Sequence, residues 1–120
     1  MPAFVVGLCE EMAPEPMYAY RAGVEATVAA FGGRYRAIVQ RYQWETLEGE
    51  WPSPFGVLIL EFPTYEQAVA WYHSEAYAPL RAMRMAGDRW HIIAAEGLAE
   101  GATLADTGIL APETSEQTEG

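Results

Sequence analysis

Lysine is absent from this chain, and all seven of its bases are arginine. Cysteine and histidine are nearly absent too, with one cysteine (Cys9) and two histidines (His73 and His91). A lone cysteine cannot close an internal disulfide, which fits a reducing, cytoplasmic setting. Its place in an apolar run predicts a small buried hydrophobe rather than a nucleophile. No apolar run approaches the roughly 18–20 residues that a membrane helix needs, so no membrane partner is expected. The apolar start follows no basic region, which argues against a secretory leader. His-x-His, Cys-x-x-Cys and His-Glu-x-x-His spacings are missing, and a metal site is not expected. A glycine-rich phosphate loop is missing as well, because Gly32 and Gly33 end a helical pattern instead of opening one. Nor is there an elbow motif for a serine nucleophile. The expectation is a protein without cofactor.

The scarcity of bases also bears on partners. Seventeen acids against seven bases give a net charge of −10. Phosphate backbones are bound largely by clustered cations, so nucleic acid is excluded as a partner. The imbalance is uneven. From Glu96 onward there are six acids and no base, whereas residues 1–95 carry eleven acids against seven bases. With 120 residues, 51% of them hydrophobic, the chain is sized for one folded domain with a modest core.

What is present is periodic. "PAFVVGLCE" is a short apolar run rich in strand formers. Met17, Tyr20, Val24, Val28 and Phe31 recur at spacings of three and four, which predicts a helix with one apolar face. Gly32 and Gly33 predict its left-handed end. "RYRAIVQRYQWETLEGEW" is expected to form a strand bent near Gln43, and "FGVLILEF" is the clearest strand in the chain. Thr64 and Gln67 have the spacing of a helix capping box, ahead of a buried stripe of Ala68, Trp71 and Tyr72. "SEAY" interrupts that helix, and Pro79 is expected to open another turn carrying Leu80, Met83 and Arg84. "RWHIIAAE" is a last strand. The order β-α-β-β-α-β predicts an α+β ferredoxin-like domain over residues 1–97, a four-stranded antiparallel sheet with helices on one face. Residues 98–120 are expected to be an acidic, mobile tail. The helices can cover only one sheet face, yet the third strand is apolar on both. A second copy packed sheet to sheet, giving a homodimer, would cover the other.

"FGGRY" (31–35), "LEGEW" (47–51), "EFPTYEQAVAWYHS" (61–74), "YAPLRAMR" (77–84) and "EG" (96–97) together resemble the bacterial domain-of-unknown-function family numbered thirteen-thirty. The resemblance spans roughly residues 2–97. It implies the dimeric α+β barrel superfamily, whose relatives include cofactor-free monooxygenases, isomerases and cyclases of natural-product biosynthesis. The family has no established reaction, so the resemblance assigns no catalytic residue. "IVQRYQWET" departs from the family pattern, which has a glycine turn there.

Candidate chemistry therefore rests on the residues themselves. Strand alternation puts Val57, Ile59 and Glu61 on one face and Leu58, Leu60 and Phe62 on the other. With Phe62 toward the helices, Glu61 faces the interior of a dimer. There it would be either a general acid or base or half of an ion pair with Arg34 or Arg36. His91 shares its face with Ile93 and Ala95 and is the second catalytic candidate. His73 ends a helix and is expected to be solvated or capping. Tyr42, Trp44, Trp51, Tyr77 and Arg84 are the substrate-binding candidates. Tyr42 and Trp44 lie in the atypical stretch, and Tyr77 with Arg84 suits anion binding or structural pairing equally. The expected function is a cofactor-free enzyme acting on a small apolar or aromatic molecule. The alternatives are a small-molecule-binding or accessory protein with the same pocket, or a structural oligomer whose acidic tail recruits a partner.

Overall fold

A computed structural model describes residues 1–38 and 44–112. The elements are β1 (Ala3–Glu11), α1 (Pro14–Ala30), β2 (Arg34–Ala37), β3 (Leu58–Phe62), α2 (Tyr65–Tyr72), α3 (Ala78–Gly87), β4 (Arg89–Glu96) and a single turn, α4 (Leu104–Thr107). The four strands form one antiparallel sheet in the order β2-β3-β1-β4. That order, with the helices on one face, is the ferredoxin-like arrangement.

Alternation along β1 decides which side is core. Ala3, Val5 and Cys9 are buried, whereas Phe4, Val6 and Leu8 are only partly covered. Leu60 and Phe62 continue the buried side on β3, and Ala68 and Trp71 of α2 close over it. From α1 come Tyr20, Val24 and Val28, at the spacing that the sequence predicts. Trp71 is the hinge of this packing. Its ring lies 5.6 Å from Phe62 and 4.2 Å from Tyr77, and its indole N–H donates to Thr27 Oγ1 at 3.0 Å.

Helix ends explain how the layers lock together. Past the end of α1, Gly32 takes φ +80°. The amides of Gly32 and Gly33 then donate to the carbonyls of Ala29 and Val28, each at 2.9 Å, closing a Schellman motif. A side chain at Gly33 would put its Cβ 2.5 Å from the Phe62 ring, so the turn seats directly on β3. Thr64 caps α2 by accepting from the Gln67 amide at 3.1 Å. The Gln67 side chain does not return to the Thr64 backbone, so the expected capping box is only half formed. Its Nε2 donates instead to the Phe31 carbonyl at 3.2 Å and ties α2 to the end of α1. His73 is the C-cap of α2, and Pro79 is the second residue of α3, after Ala78.

The largest departure from expectation is the second strand. Among the described residues it spans Arg34–Ala37, with a bulge between Tyr35 and Ala37, and residues 44–57 form no strand; the bend expected near Gln43 lies outside the described residues. β3 begins at Leu58, so it offers partners only to Arg34, Tyr35 and Ala37. Pro52 and Pro54 lack the amide proton that a longer ladder would use. The connecting loop is anchored by side chains instead. Ser53 Oγ donates to the Cys9 carbonyl and accepts the Phe55 amide at 3.0 Å. Beyond β4 the Gly97 amide donates to the Pro2 carbonyl at 2.7 Å, and α4 contributes no buried residue. None of the helices in the described residues is long and apolar enough to cross a membrane.

Candidate binding cleft

α3 is amphipathic, yet the residue it buries most deeply is a cation. Arg84 lies seven residues, two helical turns, beyond Tyr77, so the two share the face turned inward. Tyr77 is 1% and Arg84 5% exposed. The Tyr77 hydroxyl is bonded to the Tyr20 hydroxyl at 2.7 Å and accepts from Arg84 Nε at 3.4 Å. Burial pushes the Tyr20 phenol far up, with Tyr77 adding to the shift. The Tyr20 phenol is therefore neutral at physiological pH. Burial also pulls the Arg84 guanidinium down, but its phenol neighbours, Tyr77 foremost, more than offset this. The arginine stays charged.

Beside it, a cleft of about 360 Å³ opens between α3 and β4, lined by Tyr72, Arg84, Met85, Asp88, Arg89, Trp90 and Ile92. The Arg84 guanidinium stands 5.8 Å from the Trp90 ring. Trp90 is fixed by its surroundings. Its indole N–H donates to Asp88 Oδ2 at 3.0 Å, and its ring lies against Gly7, where a Cβ would come within 3.3 Å. Asp88 Oδ1 accepts the Ala13 amide at 2.7 Å, so one carboxylate holds both the start of α1 and the cleft wall. Tyr72 is held by Arg81, whose guanidinium sits 5.1 Å from its ring and donates to its carbonyl. A second cavity of about 190 Å³, which shares Tyr72 and Ile92 with the first, lies along β4 beside Val5, Ala68 and Ala94.

Tyr77 and Arg84 thus form one cluster. The catalytic candidates do not join it. Glu61 lies on the opposite sheet face, directly across from Arg34, with its carboxylate 3.3 Å from Arg34 and 3.6 Å from Arg36. His91 is on that outer face too, its Nε2 2.5 Å from Glu10, and Arg89 reaches Glu10 and Glu11 at 3.1 and 3.3 Å. Trp44 and Trp51 meet at Gly56. Trp51 Nε1 donates to the Gly56 carbonyl at 3.2 Å, and the Trp44 ring fills the space that a Gly56 side chain would need. Neither lines the cleft. Tyr42 lies outside the described residues. No group of three or more potential metal ligands occurs among the described residues. Sequence reasoning missed Asp88 and Tyr20. The spacing of Asp88 four residues after Arg84 and two before Trp90 was a usable signal, whereas nothing local marks Tyr20 as the partner of Tyr77.

A family model described as Domain of unknown function (DUF1330) matches residues 2–98. The chain belongs to this family. No functionally curated protein matches it. Among solved structures, the DUF1330 chain is similar to the RPA0582 protein of unknown function from Rhodopseudomonas palustris, with TM-score 0.56 and 18% identity over 82% of this chain and 83% of that one. The methylated form of RPA0582 gives TM-score 0.56 and 18% identity over 84% of each chain. Rv0793 from Mycobacterium tuberculosis is a weaker likeness, with TM-score 0.49 and 17% identity over 85% of this chain and all of that one. The RPA0582 likeness bears on the fold, and the fold it supports is the ferredoxin-like sheet described above.

Proposed function

We propose that this DUF1330 domain binds a small, mostly apolar or aromatic molecule in the cleft between α3 and β4, and that it works as a homodimer. The observation that carries the binding reading is the cleft itself, a concavity of about 360 Å³ walled by fixed aromatic rings with one buried cation. Nuclear magnetic resonance titration with a set of small aromatic compounds tests it. Shifts are expected at Tyr72, Trp90 and Ile92. A set that moves none of them rejects the reading.

The dimer is supported by the uncovered sheet face. Phe4, Val6, Leu8, Ile59 and Ile93 point away from the helices there, and Ile93 is 62% exposed. Opposite corners of that face carry opposite net charge, two arginines with Glu61 at one and two glutamates with Arg89 at the other. A two-fold packing that lays one corner over the other is attractive at both ends. Light scattering at micromolar concentration is expected to give twice the monomer mass. A stable folded monomer counts against it.

A cofactor-free reaction is the second reading, favoured by one observation. Glu61 sits beside Phe4 on the face that a partner copy would close, and closure would remove water from its carboxylate. Glu61 and His91 would then act at the dimer interior, a place separate from the cleft.

A further inference from the structure

Resting on the binding reading above, we infer that the cleft selects carboxylates, with Arg84 as the anchor for a flat, apolar-bodied organic acid. Arg84 is 95% buried by its 5% exposure, a depth at which an arginine is ordinarily paired with a carboxylate. Among the described residues no carboxylate lies within 4.0 Å of its guanidinium, and its one hydrogen bond there is from Nε to the Tyr77 hydroxyl. No fully buried side-chain nitrogen is left without a partner among the described residues. The two terminal nitrogens, which make no hydrogen bond among the described residues, therefore open to the cleft that Arg84 lines.

The other charged groups of the cleft are already engaged. Asp88 spends one oxygen on the Ala13 amide and the other on the Trp90 indole, so it does not turn to Arg84. Arg89 is drawn to Glu10 and Glu11. Among the described residues this leaves one unspent cation at the inner wall, presenting a planar fork of donors. A planar carboxylate matches that fork through two parallel hydrogen bonds. The body of the ligand is set by the remaining walls, the Trp90 and Tyr72 rings and Ile92, which suit an aromatic or other flat apolar group. The chain's net charge of −10 repels anions at long range, so selection must come from this local contact.

Benzoate and phenylacetate are the probes, with benzamide and benzyl alcohol as neutral counterparts of similar shape. Binding is followed through the Trp90 indole N–H and neighbouring amide resonances of the full chain. The expected result is that each carboxylate binds at least about tenfold more tightly than its neutral counterpart. Arg84→Met is expected to abolish that preference, and Arg84→Lys, which keeps the charge but loses the fork, to weaken it while preserving the fold. Equal binding of acids and neutral counterparts overturns the carboxylate inference and leaves the binding reading standing. Competition by inorganic phosphate as effective as benzoate overturns it as well. If no probe, charged or neutral, shifts the cleft resonances, both fall together.

Discussion

The two faces of the sheet are made by the same strands and handle charge in opposite ways. On the helix side, polar groups are buried and few and are held by named partners, as Tyr77 is by Tyr20 and Trp71 by Thr27, with the terminal nitrogens of Arg84 the exception among the described residues. On the outer side, charges are plural, partly solvated and paired across strands, as Glu61 is with Arg34 and Arg36. The difference follows from cost. A buried polar group without a partner loses a few kcal/mol, whereas a solvated ion pair gains or loses little. The inner face therefore specifies one packing, and the outer face keeps charges available for an interface.

The contrast breaks most visibly at Trp71. Trp71→Ala removes a ring packed on Phe62 and Tyr77, and unfolding in urea is expected to show a loss of about 3–5 kcal/mol. A second measure is alkaline stability. Burial, with the Asp88 charge adding to it, pushes the Cys9 thiol from 9.0 up to about 11. The unfolded chain then gives up this proton before the folded one does, so stability falls as pH rises from about 9 toward 11, by up to about 3 kcal/mol. Burial pushes Tyr35 the same way, up to about 12, and extends the loss to higher pH. Cys9→Ala is expected to flatten the first part of that decline. A wild-type curve level from pH 9 to 11 contradicts the assignment.

On the outer face the same kind of change costs less. Glu61→Gln leaves Arg34 and Arg36 with side chains 66% and 49% exposed, so water replaces the lost carboxylate. Where the face stays open to solvent, stability is expected to change by about 0–1 kcal/mol. A loss of several kcal/mol, as a fully buried pair would give, shows that a partner copy encloses Glu61 in solution. The smallest effect is expected from deleting the residues after Leu98, of which those described, 99–112, add no strand and no buried residue. The melting temperature should stay within a degree or two of the full chain's.

Periodicity made most of this legible. The strand and helix order, the inward stripe of α1, and the outward direction of Glu61 and His91 follow from spacings of two or of three and four. The length of β2 did not, because it is set by how far β3 extends to pair with it. The cleft was legible only in part. Tyr77 and Arg84 stand out in sequence, but their neutral partner Tyr20 is 57 positions from Tyr77 and meets it only through the packing of α1 on α3. A pairing settled between two helices leaves no mark in either helix alone. The ion-pair alternative for Glu61 could be listed from sequence, yet its exposure, which sets what it is worth, depends on the layers around it.

One further consequence lies in the bulge of β1. Leu8 stands across from His91 and Cys9 from Trp90, but Arg89 is matched by Glu11, which leaves Glu10 as the extra residue. A strand is a parity code in which each single deletion exchanges inside for outside for everything on one side of it. At Val6, a deletion would turn either Ala3 and Val5 or Cys9 to the wrong face. At Glu10, the deletion would take out the supernumerary position and leave Ala3 through Cys9 paired as they are. The bulge is thus the point on this strand where the lineage can gain or lose a codon without rewriting its core.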